Sequence, residues 1–169
     1  MTSFSRQLGF IYLFAFSSLY VQWPGLYSEN GVLPVADFTD RYKTSELSIA
    51  EAGRFYLKFP SLVLFHGSLG VTADGLCEFI LLVGIFCSVL ASLGKNNHFL
   101  FGSLWACYLS LVLSGQTFMS FQWDILLLEV GALSVLLAPL STTQPGYDMD
   151  WCYRFIAFKL MVTRKRHMK

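Results

Sequence analysis

The stretch LCEFILLVGIFCSVLASL, residues 76–93, decides the fold because Glu78 is its single charged side chain. A helix that crosses a membrane needs about 20 mostly apolar residues. With its flanking residues, the stretch predicts a transmembrane helix over 75–94. Gly94, followed by Lys95 and two asparagines, predicts a tight turn at the end of this helix.

The composition of the whole chain is typical of a membrane protein. Of 169 residues, 54% are hydrophobic and 14% are charged, against about 25% charged residues in soluble domains. This deficit argues against a soluble enzyme and against a disordered chain. The formal net charge is +1. The chain therefore lacks the basic field that nucleic-acid binding needs, and we expect no nucleic-acid partner.

Three further apolar runs predict transmembrane helices over 7–23, 98–116 and 123–140. Pro24 and Gly25 are expected to end the first of these helices. This first run follows a single basic residue, Arg6, and precedes no small-residue cleavage site, which favours a retained helix over a signal peptide. The short connection after residue 116 predicts that the last two helices form an antiparallel hairpin. The predicted fold class is therefore all-α, a polytopic membrane helical bundle with four transmembrane helices.

The positions of lysine and arginine predict the orientation of this bundle, because cytosolic loops carry more of them. One side holds eight: Arg6, Lys95, Arg154, Lys159, Arg164, Lys165, Arg166 and Lys169. The other side holds four: Arg41, Lys43, Arg54 and Lys58. We therefore expect residues 1–6 and the basic tail 163–169 to be cytosolic. The long 24–74 loop is then lumenal.

The C-terminal region is predicted as a loop over 141–150 followed by a short apolar segment over 151–162. Arg154 and Lys159 interrupt this segment. If it were a fifth span, the basic tail would lie on the wrong side of the membrane. We therefore expect an interfacial segment in which both basic side chains snorkel, and an incomplete fifth helix is the alternative.

Two ladders of small residues, spaced four apart, predict surfaces where helices approach closely in lipid. The second span contains Gly84, Ser88 and Ser92, and the third contains Gly102, Ala106, Ser110 and Ser114. Packing within this chain is the simpler interpretation. A surface for a homologous chain or another protein is the alternative.

Polar residues around the start of the fourth span carry the strongest chemical signal. Asp124 lies at the start of this span, where it can cap free helix amides. Glu129 lies more than a turn deeper, where a charge is expensive. Gln122 shares a helix face with Glu129 if the helix already includes Gln122, whereas Asp124 is about 140° away from Glu129. A structural tie between helices and a ligand or catalytic site both explain this pattern.

The remaining titratable residues form no chemical motif in the sequence. His66, His98 and His167 do not share metal-ligand spacing, and the four cysteines form no disulfide framework. Nucleotide-binding, hydrolase and zinc-protease motifs do not occur in the sequence. We therefore expect no catalytic residue, no metal and no cofactor.

Two segments resemble the lipase maturation factor family. SLYVQWPGLYSENGVLPV, residues 18–35, is similar to the family's Q-x-P-G-L-Y-x-x-x-G-(I/L)-L-P stretch and supplies Gln22, Pro24, Gly25 and Gly31. GQTFMSFQWDILLLEVGALSVLLAPL, residues 115–140, is similar to the family's G-Q-x-F-x-x-F-Q-W-D-x-L-L-L-E hairpin and supplies Gln116, Gln122, Trp123, Asp124 and Glu129. Ala132 replaces the Phe that is common in the family. The first segment looks closer to the second of the two vertebrate subtypes.

The resemblance implies a multi-pass membrane protein of the endoplasmic reticulum that assists folding, assembly and export of secreted proteins such as lipases. It implies membrane lipid and secreted client proteins as partners, and no enzymatic activity. The bundle also distantly resembles the membrane region of the vitamin K-dependent carboxylase. This leaves open a membrane-embedded enzyme or small-molecule carrier that uses the polar groups of residues 115–129.

The sequence departs from the family pattern after Val162. In the family, a segment like residues 151–161 continues into a membrane helix and a large lumenal domain implicated in client binding. Here the basic tail follows instead. We therefore interpret the chain as a truncated N-terminal portion of a maturation factor. A short form that pairs with the full-length homologue is a third interpretation.

Overall fold

The computed structural model describes residues 2–28, 31–41, 60–95, 97–119, 121–137 and residue 154, and these residues are arranged as helices and connecting turns. The α-helices are α1 (Thr2–Leu26), α2 (Val35–Arg41), α3 (His66–Leu69), α4 (Ala73–Ser92), α5 (His98–Ser114) and α6 (Gln122–Leu137). Two 3₁₀ helices, η1 (Leu62–Phe65) and η2 (Gln116–Met119), lie before α3 and α6. The predicted all-α helical bundle is confirmed.

Helix α1 is longer than the sequence predicts, because it continues through Pro24 to Leu26. Proline has no N–H to donate, and its ring crowds the carbonyl group four residues earlier, so the last turn of α1 lacks one hydrogen bond of the helix. The returning chain then satisfies the last carbonyl groups: Val32 N–H donates to Gly25 O and Leu33 N–H donates to Leu26 O. The expectation that Pro24 ends the helix was therefore wrong by about one turn.

The long helices α4 and α5 form an antiparallel hairpin with caps that the sequence supplies. The Thr72 hydroxyl accepts the Gly75 N–H at the start of α4, and Asn97 Oδ1 accepts the Phe99 N–H at the start of α5. Between them, Gly94 adopts φ +92°, a left-handed conformation that glycine reaches without strain. By length and hydropathy, α4 is the described helix that could cross a membrane, and α5 is a shorter apolar helix.

Four helices, α1, α4, α5 and α6, run alternately up and down and meet in an aromatic core. Tyr12 and Phe16 of α1 both contact the ring of Tyr108 of α5 edge-on, with centroids 5.8 and 5.6 Å apart. All three side chains are buried. Edge-to-face aromatic contacts add to the packing energy of buried rings. These rings join α1 to α5 within the buried core of the bundle.

Part of the predicted 24–74 loop is packed inside the bundle. Val63 and Leu64 of η1 are fully buried, and Ser61 at its start hydrogen bonds to α5. The predicted loop 141–150 and the tail 163–169 lie outside the described residues. So do the end of the fourth predicted span and all of segment 151–162 except Arg154.

Candidate functional site

The first polar contact of the candidate site joins the end of α1 to the start of α4. Trp23 Nε1 donates a hydrogen bond to Asp74 Oδ1 over 2.6 Å, and Ser28 Oγ donates to Asp74 Oδ2 over 3.1 Å. Trp23 is 1% exposed, so the carboxylate supplies the partner that a buried indole N–H needs. Asp74 also lies in the first turn of α4, where the helix dipole favours an acid.

The second contact brings together the two segments that resemble the family. The Tyr27 hydroxyl donates to the Gly115 carbonyl over 3.1 Å, and the Tyr27 ring lies edge-on to Phe118. A Cβ atom at residue 115 would collide with Met119 and lie 2.9 Å from the Tyr27 hydroxyl. Burial, with a smaller contribution from the charge of Asp124, raises the pKa of Tyr27 to about 12. The hydroxyl therefore keeps its proton and remains a donor.

The third contact holds Asp124, the acid that the sequence singled out. The Tyr108 hydroxyl donates to Asp124 Oδ1 over 2.6 Å, and both side chains are buried. Helix α6 begins at Gln122, so Asp124 lies inside its first turn rather than before it. Tyr108 comes from α5, and the pair therefore ties the two helices of the last hairpin. We call these three contacts together the hydrogen-bonded end of the bundle.

The other polar residues predicted on α6 are placed differently. Gln122 and Trp123 are exposed, and Trp123 stacks on Phe121 with ring centroids 5.1 Å apart. Glu129 is half-buried deeper in the helix. The partner of Asp124 is thus Tyr108, a residue that the sequence did not single out. Gln116 opens η2 at the same end of the bundle.

The glycines of the first family-like segment have unequal roles. A Cβ atom at Gly31 would lie 2.7 Å from the backbone of Leu26, so the returning chain can approach α1 because residue 31 has no side chain. A Cβ atom at Gly25 would meet no atom within 4 Å. Gly25 instead contributes its carbonyl group, which Val32 uses as acceptor over 3.2 Å.

Of the small residues of α4, Gly84 faces helix α1. A Cβ atom at Gly84 would lie 2.5 Å from the ring of Phe16. Gly9 of α1 lies against the other end of α4, where an added Cβ would come within 2.6 Å of the Ser92 backbone nitrogen. Ser88 is buried, and its hydroxyl donates to Ile85 O within its own helix. These contacts bring α1 and α4 very close together.

The small residues of α5 contact two different neighbours, η1 and α6. Ser110 Oγ accepts the Leu62 N–H over 3.0 Å, and Ser61 Oγ lies 3.4 Å from Ser114 Oγ. This part of the ladder therefore holds η1. At the other end, a Cβ atom at Gly102 would only touch Val135 of α6 at 4.0 Å. Ala106, between them, is half-buried.

A crevice of about 540 Å³ separates α1 from α6. Its apolar lining includes Leu8, Ile11, Ala15, Leu127 and Val130. Its polar groups lie toward the hydrogen-bonded end: Ser18, Gln22, Tyr108 and Asp124. Gln22 is exposed, and its side-chain amide donates to Ser18 Oγ over 3.0 Å. The crevice is thus apolar over most of its length and polar at one end.

Two aromatic residues that no sequence motif indicated hydrogen bond to α6 beside this crevice. The Tyr12 hydroxyl donates to Leu127 O over 3.3 Å, and Trp105 Nε1 donates to Leu128 O over 3.1 Å. Both side chains lie over Gly131, where an added Cβ would collide with the Tyr12 hydroxyl. A lone glycine in the apolar run of α6 was the signal that could have pointed to this contact.

The fold and these contacts define a class of protein: a helical membrane bundle with one end closed by hydrogen bonds among its helix ends and connecting segments. Comparison with known proteins identifies the family. The family model of the lipase maturation factor transmembrane domain matches residues 1–164, and the chain belongs to the lipase maturation factor family. The earlier resemblance is therefore confirmed.

Curated relatives of both subtypes are similar to the chain. Lipase maturation factor 2 of Xenopus laevis is 38% identical over 173 residues, which cover 95% of this chain and 23% of the relative. The human lipase maturation factor 2 is 35% identical, covering 94% of this chain and 24% of the relative. Lipase maturation factor 1 of Bos taurus is 30% identical, covering 93% of this chain and 29% of the relative. The chain thus spans about a quarter of the length of these relatives. No solved structure matches it.

Proposed function

We propose that this chain is the membrane part of a factor that assists maturation of secreted lipases in the endoplasmic reticulum. The names of its relatives support this role, and the contact between Tyr27 and Gly115 is the observation that carries it. That contact links the two segments most similar to the family and fixes the end of the bundle from which the 24–74 loop leaves. The loop and the hairpin then stabilise clients or position another protein. This role requires no catalysis, and we propose that the chain is not an enzyme.

The proposed orientation places the hydrogen-bonded end in the lumen and both termini in the cytosol. The Arg6 guanidinium lies against Gly94, beside Lys95, so two basic residues mark the opposite end of the bundle. Cytosolic ends of membrane helices carry such residues. An engineered glycosylation site in the 24–74 loop should be modified in microsomes, and a site in a C-terminal extension should not. Modification of the extension would contradict the proposed multi-pass topology.

Lipase secretion tests the function. The test uses cells that lack their own maturation factor. These cells express either the chain with Tyr27→Phe or a full-length homologue with the equivalent substitution. The matched control is Tyr20→Phe, because Tyr20 is exposed on helix α1, which ends just before Tyr27. We expect Tyr27→Phe to lower secreted lipase activity at constant transcript level and Tyr20→Phe to leave it unchanged. Equal secretion with wild type and with no factor would overturn the proposed function.

A small-molecule carrier is the second candidate, because the crevice places Asp124 and Tyr108 at the end of an apolar cavity. A carrier predicts that Asp124→Asn abolishes transport while the protein remains folded, whereas Glu129→Gln has less effect because Glu129 does not line the crevice. Loss of the folded protein in Asp124→Asn would instead favour a structural tie.

A full-length homologue is the further partner that we propose, paired through exposed helix faces. The outer face of α4 carries Phe79, Leu82 and Phe86, each more than half exposed in the single chain. Co-purification of the two forms in mild detergent tests the pairing. Separate elution would argue against it.

A further inference from the structure

We propose that the crevice between α1 and α6 holds one acyl chain of a membrane glycerolipid, with the lipid headgroup at the Gln22 end. The inference goes beyond the maturation role and does not depend on any client. It rests on the size of the crevice, on the order of its lining residues, and on the membrane setting of the bundle.

The dimensions of the crevice suit a lipid chain. Its volume of about 540 Å³ lies in the range of ligand cavities, which is about 300–1,000 Å³. Its lining extends along α1 from Leu8 to Gln22, or about 21 Å at 1.5 Å per residue. One leaflet of the hydrocarbon core is about 15 Å thick, half of about 30 Å. The crevice is therefore long enough for an acyl chain that enters from one leaflet.

The order of its lining residues matches an amphiphile. The part farthest from Gln22, called the deep part, is lined by Leu8, Ile11 and Val130. Gln22 and Asp124 lie at the other end near the first turn of α6, which the apolar side chains of Phe118, Met119 and Phe121 also line. Exposed Trp123 stands at that end, and aromatic rings of this kind prefer the depth of lipid headgroups. An acyl chain in the deep part thus leaves its headgroup beside hydrogen-bonding side chains.

The polar end also favours one kind of headgroup. The Asp124 carboxyl group accepts the Tyr108 hydroxyl, and its oxygens are acceptors. A headgroup with hydroxyl or ammonium donors can donate a further hydrogen bond to these carboxyl oxygens. The carboxylate of a free fatty acid cannot donate a hydrogen bond there and meets another acid. The occupant is therefore a glycerolipid with donor groups, such as phosphatidylethanolamine.

Photocrosslinking in lipid nanodiscs tests the proposal. The probe is phosphatidylethanolamine with a diazirine near the end of one acyl chain, and mass spectrometry locates its adducts on the full chain. We expect adducts on the crevice side of α1 and α6, near Leu8 and Val130 at the end of the crevice farthest from Gln22. Ala15→Phe fills the crevice and should lower these adducts about tenfold, the change that follows a loss of about 1.4 kcal/mol in binding.

Two further variants keep the test decisive. Ala132→Phe adds the same ring on α6 outside the crevice lining and should leave the adducts unchanged. Ile11→Trp narrows the crevice from an exposed position and should lower them if Ala15→Phe does not fold. Adducts spread evenly over the outer face of α4, or equal labelling by a diazirine fatty acid, would overturn the proposal. So would crosslinking of the crevice to residues 138–169 of the chain in place of lipid.

Discussion

Helix α1 meets its two neighbours α4 and α6 in different ways. Against α4 it packs closely, with Gly9 on the backbone of Ser92 and Phe16 on Gly84. Against α6 it leaves a crevice, which the Tyr12 hydroxyl bridges to Leu127 O. Lipid removes most of the hydrophobic force between helices, so close contact and hydrogen bonds are what remain to join them. The comparison predicts that the close interface carries more of the stability than the bridged one.

The largest loss of stability is expected for Gly9→Ala. The added methyl group would meet backbone atoms of α4, which cannot move aside as a flexible side chain can. We expect a loss of about 3 kcal/mol in the free energy of unfolding, measured by denaturant titration in mixed micelles. The control is Gly102→Ala, which has open space and should gain up to about 1 kcal/mol from helix propensity. Equal losses in the two variants would show that α1 and α4 are not in close contact.

The next effect is expected for Gly131→Ala, which disturbs the bridged interface. The new methyl group would displace the Tyr12 hydroxyl and crowd Trp105, costing about 2 kcal/mol of stability. Adding Tyr12→Phe removes the clashing hydroxyl and should recover part of this loss. A double-mutant cycle by thermal unfolding measures the coupling. Strictly additive losses would mean that Tyr12 does not lie over Gly131.

A smaller loss is expected for Tyr108→Phe at the hydrogen-bonded end. The substitution leaves the buried Asp124 carboxyl group without its donor from α5, and we expect a loss of about 1.5 kcal/mol. Tyr20→Phe is the matched control, because the Tyr20 side chain is exposed. Asp124→Ala removes the acceptor, so Tyr108→Phe should be nearly neutral in that background. If Tyr108→Phe costs the same with and without Asp124, the hydrogen bond does not exist.

The smallest effect is expected for Tyr12→Phe alone. Its hydrogen bond is long at 3.3 Å, and its acceptor Leu127 O lies within helix α6. Hydrogen bonds between membrane helices contribute about 0.6 kcal/mol on average, so the loss should be of that size. If Tyr12→Phe lowered the free energy of unfolding more than Gly9→Ala does, the α1–α6 interface would contribute more stability than the α1–α4 interface, contrary to the prediction.

The sequence predicts the helical class well and the ends of helices less well. Long apolar runs required membrane-type helices, and the fold confirmed this class. The end of α1 at Leu26 depends on Val32 and Leu33, which return to it after the turn. Such a contact is tertiary, and local propensity at Pro24 cannot reveal it.

The sequence singled out one acid of the hydrogen-bonded end, Asp124, but not the pairings found there. Acids at helix starts, Asp74 and Asp124, follow from the helix dipole. Their donors, Trp23 and Tyr108, lie 51 and 16 residues away in the sequence. Helix periodicity gives the face on which a residue lies but not the neighbour that the face meets. Glu129 stands out in the sequence through the cost of a charge in a membrane, and Asp124 stands out in the structure through its hydrogen bond from buried Tyr108.

The two family-like segments meet at one end of the bundle, where the Tyr27 hydroxyl contacts the Gly115 carbonyl. Photocrosslinking from p-benzoylphenylalanine at position 118 tests this contact directly, because the Phe118 ring lies 6.5 Å from that of Tyr27. Irradiation of the full chain in lipid nanodiscs should give an intramolecular adduct on the peptide that contains Tyr27. The same probe at exposed Phe99, at the start of α5, should not give this adduct. Adducts from position 118 only to lipid or to α5 would show that the two segments do not meet there.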